Sequence, residues 1–246
     1  LLDEVKFGSG NVWLDIALAL EAAKHGDLYL VPQILSVVAR TSLSGVAQAG
    51  LSLIGDAGSR STLGRLESAL LNSSSYVRVK ACCAMLHSGY LSLAESILRT
   101  WQTVPIRERS ILSSYLSLLL ESEFAEIATY EDFDNDDAYV ARVKFQIEEL
   151  IGRHGRDAVL FRGEPANMES LCNRILGLLD SGLPIGAIGI DAIQLRHRFE
   201  AQSGTDCSSF YVRGNFQPKT VRHVVQSFLS DSSNLSGFDS GARYFF

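Results

Sequence analysis

Apolar residues recur along much of the chain at the spacing of one helix face. In the segment 76–89, Val77, Ala81, Ala84, Met85 and Gly89 fall at offsets 0, 4, 7, 8 and 12. Those offsets align on one side of a helix. The small residues in the stripe admit a neighbouring helix at close range, so a bulkier side chain at Ala81 is expected to be harmful. Gly89 suits the position just past the last turn, where a positive φ is needed.

The same offsets return 34 residues earlier at Leu43, Ala47, Gly50, Leu51 and Gly55, with Asp56 following. They return 34 residues later at Ile111, Tyr115, Leu118 and Leu119, with Glu123 in the glycine's place, and 32 residues beyond that at Val143, Ile147, Leu150, Ile151 and Gly155. Leu14, Leu18, Ala22 and Gly26 form a looser first copy. Second helices are predicted between these, at Leu30–Ala39, Leu63–Leu70 and Leu91–Trp101. The unit is therefore two helices in about 34 residues, and stacking such units buries a continuous core that one unit alone could not bury.

Val77-Arg78 followed by Ala81 and Ala84, and Val31-Pro32 at the start of a second helix, resemble HEAT repeats over residues 12–157. The resemblance implies an all-α fold, a right-handed α-solenoid of HEAT-like helix pairs. It also implies a binding scaffold in most cases and an enzyme in a few. The short repeats and the Gly241-Ala242-Arg243-Tyr244-Phe245 ending are also loosely similar to HEAT-containing proteins found beside bacterial secretion systems.

After Gly155 the pattern changes. Ala158–Gly163 reads as a short extended stretch. Asn167–Leu179 reads as a helix with Asn167 as N-cap. Ile185, Ile188, Ala192, Leu195 and Phe199 form another helical stripe. Gly182 to Gly189 is apolar and reads as close helix packing. A loop or hairpin is expected over Cys207–Gln217 and a last helix from Pro218. Residues 158–246 are read as a C-terminal helical cap or subdomain closing repeats that span 1–157. The aromatic ending 237–246 is expected to pack back on the last helices.

Composition narrows the function classes. Of 246 residues, 46% are apolar and 20% charged, which is ordinary for a globular protein. No apolar run reaches the roughly 18 residues of a membrane span. Leu1 is followed by no basic region or cleavage motif, so no signal peptide is expected and a cytoplasmic setting is. The net charge is −6, which repels phosphate backbones and disfavours nucleic acid as a partner. There is no GxSxG elbow, no phosphate-binding GxxxxGK[ST] loop and no HExxH, so neither catalysis nor a cofactor is expected. The four cysteines form no CxxC. Cys82 and Cys83 are expected to be buried, reduced and unreactive. Arg196-His197-Arg198, with Arg153, His154 and Arg156, reads as solvated helix faces or internal partners of acidic residues.

The sharpest surface feature is acidic. From Ser110 to Ala141 there is no Lys or Arg, while Glu131, Asp132, Asp134, Asp136 and Asp137 stand together with Phe133 and Tyr139. Like charges at this density repel, and a basic partner would relieve them. Interleaved aromatics would add anchors. These seven residues are the expected protein-binding site. Asp132, Asp134 and Asp136 match positions 1, 3 and 5 of a calcium loop, but Asp137 replaces its glycine and Val143 its bidentate glutamate. No metal is expected. The resulting expectation is a protein-binding solenoid, in particular an immunity or inhibitor protein neutralising a cationic toxin or effector domain. The alternatives are an assembly scaffold or adaptor, or a lyase- or glycosylase-type enzyme on the same scaffold.

Overall fold

The computed structural model describes residues 6–121, 135–182 and 185–231, the side chains of 185–188 and 190 excepted. The protein is all-α, with 73% helix and a few two-residue strands. It divides into two compact units, Leu1–Pro165 and Ala166–Phe246.

The first unit holds α1 (Val12–Lys24), α2 (Val31–Arg40), α3 (Ser44–Ala57), the short α4 (Arg60–Gly64) and α5 (Leu66–Ala69), α6 (Ser75–Ser88), α7 (Ala94–Thr103), α8 (Ile106–Leu120) and α9 (Asp136–His154). Local chemistry sets these ends. Asn11 caps α1 by accepting from the backbone N–H groups of Trp13 and Leu14. Pro32 enters α2 in its first turn, where its missing N–H costs nothing. Ser74 caps α6, and Gly89 ends it at φ 73°. The predicted helix 63–70 is broken at Arg65 into α4 and α5.

Within this unit α1 packs on α3, α3 on α6, and α6 on α8, while α2 and α7 pack against α3, α6 and α8. The glycines allow the close contacts. A Cβ on Gly50 would stand 2.6 Å from a Val38 methyl, and one on Gly55 would stand 3.0 Å from the Ala84 Cα. α9 shares the apolar offsets of α3, α6 and α8, yet it packs on both α7 and α8. Trp101 of α7 and Tyr139 of α9 are both buried there, with ring centroids 4.7 Å apart.

Residues 158–165 belong to the first unit for a hydrogen-bonding reason. β1 (Leu160–Phe161) and β2 (Glu164–Pro165) form a small antiparallel hairpin. The N–H of Leu160 donates to Gly89 O at 2.8 Å, and those of Arg162 and Gly163 donate to Leu118 O and Leu119 O at 2.9 and 3.0 Å. The hairpin thus satisfies carbonyls that the ends of α6 and α8 leave open. This places the division after Pro165, where the sequence pattern changes at 157.

The second unit contains α10 (Met168–Asp180), α11 (Ile185–Ser203), a hairpin of β3 (Tyr211–Val212) and β4 (Asn215–Phe216), and α12 (Pro218–Ser230). Asn167 caps α10 through the Ser170 N–H at 2.8 Å, as its sequence position predicts. Leu171, Cys172, Ile175, Leu195, Phe199, Phe210, Val221 and Val225 form the core, with Phe199 and Phe228 meeting edge to face. Gly189 meets no neighbour within 4 Å, so the expected close helix packing is absent there.

Candidate functional site

Of the seven residues expected to bind a partner, the structure describes Asp136, Asp137 and Tyr139. Glu131, Asp132, Phe133 and Asp134 lie outside the described residues. Asp136 and Asp137 occupy the first turn of α9, with Asn135 as its N-cap. There they complement the positive end of the helix dipole, and Asp136 also pairs with Arg109. Tyr139 is not an exposed anchor. It is 3% exposed and stacked on Trp101, whose Nε1 donates to Ser113 Oγ at 3.0 Å. The Arg109 guanidinium covers the Trp101 ring at 4.5 Å. Burial pushes the Tyr139 phenol up to about 12. Arg153 and Arg156 pair with Glu149 and Glu95, and Arg196 with Glu200, so these members of the basic cluster are internal partners of acids.

The layer of α1, α3, α6 and α8 carries its own line of large exposed side chains. Trp13 of α1 is 50% exposed and lies over Gly45 of α3. The Tyr76 hydroxyl of α6 donates to Gln48 Oε1 of α3 at 3.0 Å. Ile111 of α8, 44% exposed, follows Val77 by one 34-residue repeat. On the other layer, a cleft of about 260 Å³ opens between α5, α6 and α7, bordered by Leu66, Leu70, Ala81, Met85 and Arg99. Ala81 lines this cleft while only 3% exposed, and Gly55 makes its close approach at Ala84.

Along α6, the exposed Tyr76 and the half-buried Lys80, Cys83 and His87 follow one another at helical spacing. Cys83 Sγ lies 3.4 Å from His87 Nε2, one turn along the same helix. His87 Nδ1 is 3.7 Å from Asp56 Oδ1 at the end of α3. The Gly55–Ala84 contact explains this placement, because it draws the end of α3 onto α6 just where Asp56 and His87 follow. Tyr115 of α8 stands near the same sulfur.

The two adjacent cysteines differ in chemistry. Cys82 is 1% exposed, and burial pushes its thiol up to about 12. Cys83 is half-buried. Burial also raises its thiol, but His87, the Tyr115 hydroxyl and Lys80 outweigh that and hold it below the ordinary thiol range. The His87 imidazole is raised to about 9: burial alone would lower it, but the Asp56 carboxylate and the Cys83 sulfur prevail. The arrangement sets a thiol beside an imidazole that a carboxylate backs, so each group favours the charged form of its neighbour. Of the two cysteines expected to be buried, Cys82 is, and Cys83 is half-buried within this cluster. The Cys83–His87 spacing of four residues on one helix was the sequence signal for it, masked by the apolar residues around it.

No known protein family, curated protein or solved structure matches the chain. Among the described residues, no helix is long and apolar enough to cross a membrane.

Proposed function

We propose that the chain is a right-handed α-solenoid of HEAT-like helix pairs that binds another protein. Within that class it acts as a cytoplasmic immunity or inhibitor protein for a basic toxin or effector domain. The observation that carries this reading is the line of exposed side chains across α1, α3, α6 and α8. Trp13, Tyr76 and Ile111 are large and close to half exposed. Aromatics held on successive helices are the anchors that protein interfaces favour. Glu131, Asp132, Asp134 and Asp137 add negative charge that steers a basic partner. Tyr139 and Asp136 serve the fold of the α7–α9 region instead. The net charge of −6 disfavours nucleic acid.

The test is photo-crosslinking in lysate of the native host, with p-benzoylphenylalanine at position 76 or, on α9, at position 145. Phe145 is 58% exposed and serves as the control site. The expected result is one basic protein captured from 76 and not from 145, lost on Trp13→Ala, whose activity the purified chain inhibits. Capture without inhibition favours an assembly scaffold or adaptor. Equal capture from both positions, or none from 76, overturns the reading.

A further inference from the structure

Cys83 is set apart from the other cysteines by what surrounds it. Cys172 and Cys207 are buried in the second unit. Cys82 faces α7, where Thr100 stands beside it. Cys83 alone among the four is half-buried, with an imidazole at 3.4 Å, a tyrosine nearby and a carboxylate behind the imidazole. Three separate helices supply these groups: α6 gives Cys83, Lys80 and His87, α3 gives Asp56, and α8 gives Tyr115.

We infer that Cys83 is a covalent modification site, which undergoes exchange with small organic disulfides beside the His87 imidazole. The thiolate, not the thiol, is the nucleophile in that reaction. Cys83 Sγ attacks one sulfur of the disulfide RS–SR along its S–S axis. A new Sγ–S bond forms, the RS–SR bond breaks, and the departing sulfur leaves with the electron pair as RS⁻. Cys83 is thereby oxidised to a mixed disulfide, and the released half is reduced to a thiol. His87 holds the proton that RS⁻ takes up, because its imidazolium loses its counter-charge once the Cys83 thiolate is consumed. Asp56 is a positioning residue that keeps the ring turned towards the sulfur. The inference rests on this cluster alone and holds whether or not the neighbouring face binds a partner.

The experiment treats the native protein with glutathione disulfide across a pH series and locates the adducts by fragmentation between Cys82 and Cys83. The expected result is one glutathionyl adduct, on Cys83, removed by dithiothreitol and absent in Cys83→Ser. The rate should rise with pH to an inflection below that of a free-thiol control, because His87, Lys80 and Tyr115 face the sulfur and Asp56 faces His87. His87→Gln should move that inflection up to the control's value. If that variant does not fold, the inflection in the unaltered protein decides alone. An adduct that reaches the cysteines only after unfolding, an adduct on Cys82 instead, or an inflection at the free-thiol value would overturn the inference.

Discussion

Gly55 and Ala84 meet at backbone range: a Cβ on Gly55 would stand 3.0 Å from the Ala84 Cα, 3.2 Å from its Cβ and 3.3 Å from its carbonyl oxygen. No flexible side chain can swing aside there, so α3 and α6 would have to separate. Gly55→Ala gains about 1 kcal/mol of helix propensity, but forced over-packing costs about 1–3 kcal/mol. The expected outcome is a net loss of stability, larger for Gly55→Val, read as a lower urea midpoint. A midpoint raised by Gly55→Ala would mean that the two helices do not touch at this glycine.

Tyr139 holds α9 to α7 through its stack on Trp101. Truncating a fully buried aromatic costs about 3–5 kcal/mol. Tyr139→Ala should therefore lower the urea midpoint sharply, and any effect on partner binding should follow the folded fraction. Tyr139→Phe keeps the stack and should be mild. A Tyr139→Ala protein with its midpoint intact but faster partner dissociation would restore the tyrosine to the interface.

How much of this was legible can be judged residue by residue. The offsets around Val77 located α3, α6 and α8: small residues and a glycine mark the close approach of α3 and α6, while α8 keeps only the apolar spacing. They could not separate α9, whose identical stripe faces α7 as well as α8, since periodicity reports that a face is buried and not what buries it. The same limit explains Ala81 and Ala84. Both lie on the stripe, but only Ala84 meets Gly55, and Ala81 borders a cleft. Tyr139 was misread because charge density drew attention to a segment whose last residues are already the first turns of a helix. The surroundings of Cys83 are not legible in the sequence, because Asp56 and Tyr115 are distant in the chain and come near it only once α3, α6 and α8 stack.

Glu121 gives a pH prediction. Its carboxyl is raised above the ordinary range because burial opposes the charge, and this outweighs Ser117, Arg142, Arg162 and Gln146, which favour it. A carboxyl raised in the folded state binds its proton there at a pH where the unfolded chain, near about 4.3, has lost it. Stability therefore falls as pH rises through that window and stays lower above it. Glu121→Gln removes the buried charge while its side-chain oxygen can still accept from Ser117. The variant should melt higher than the parent near pH 7, and its advantage should shrink as pH falls through the carboxylate range. A constant difference across that range, or a less stable variant at neutral pH, would show that Glu121 is not held against its charge.

The acidic run calls for a test that separates steering from helix capping. Asp136 and Asp137 stand in the first turn of α9, where a carboxylate stabilises a helix by about 0.3–1 kcal/mol, and Asp136 also pairs with Arg109. Neutralising them would disturb α9 and imitate a loss of binding. Glu131→Gln, Asp132→Asn and Asp134→Asn together leave that turn untouched. Exposed charges act on an approaching partner through a field screened over about 8 Å at physiological salt, so they alter the association rate far more than the dissociation rate. With the protein crosslinked from position 76 as partner, association with the parent chain should slow as salt rises. The triple variant should associate more slowly at low salt and with a flatter salt dependence, at an unchanged dissociation rate. Asp137→Asn alone should lower the melting temperature slightly, slow association less than the triple variant does and leave the dissociation rate close to the parent's. If the triple variant associates as fast as the parent at every salt concentration, the acidic run does not steer, and recognition rests on the helix face that carries Trp13 and Tyr76.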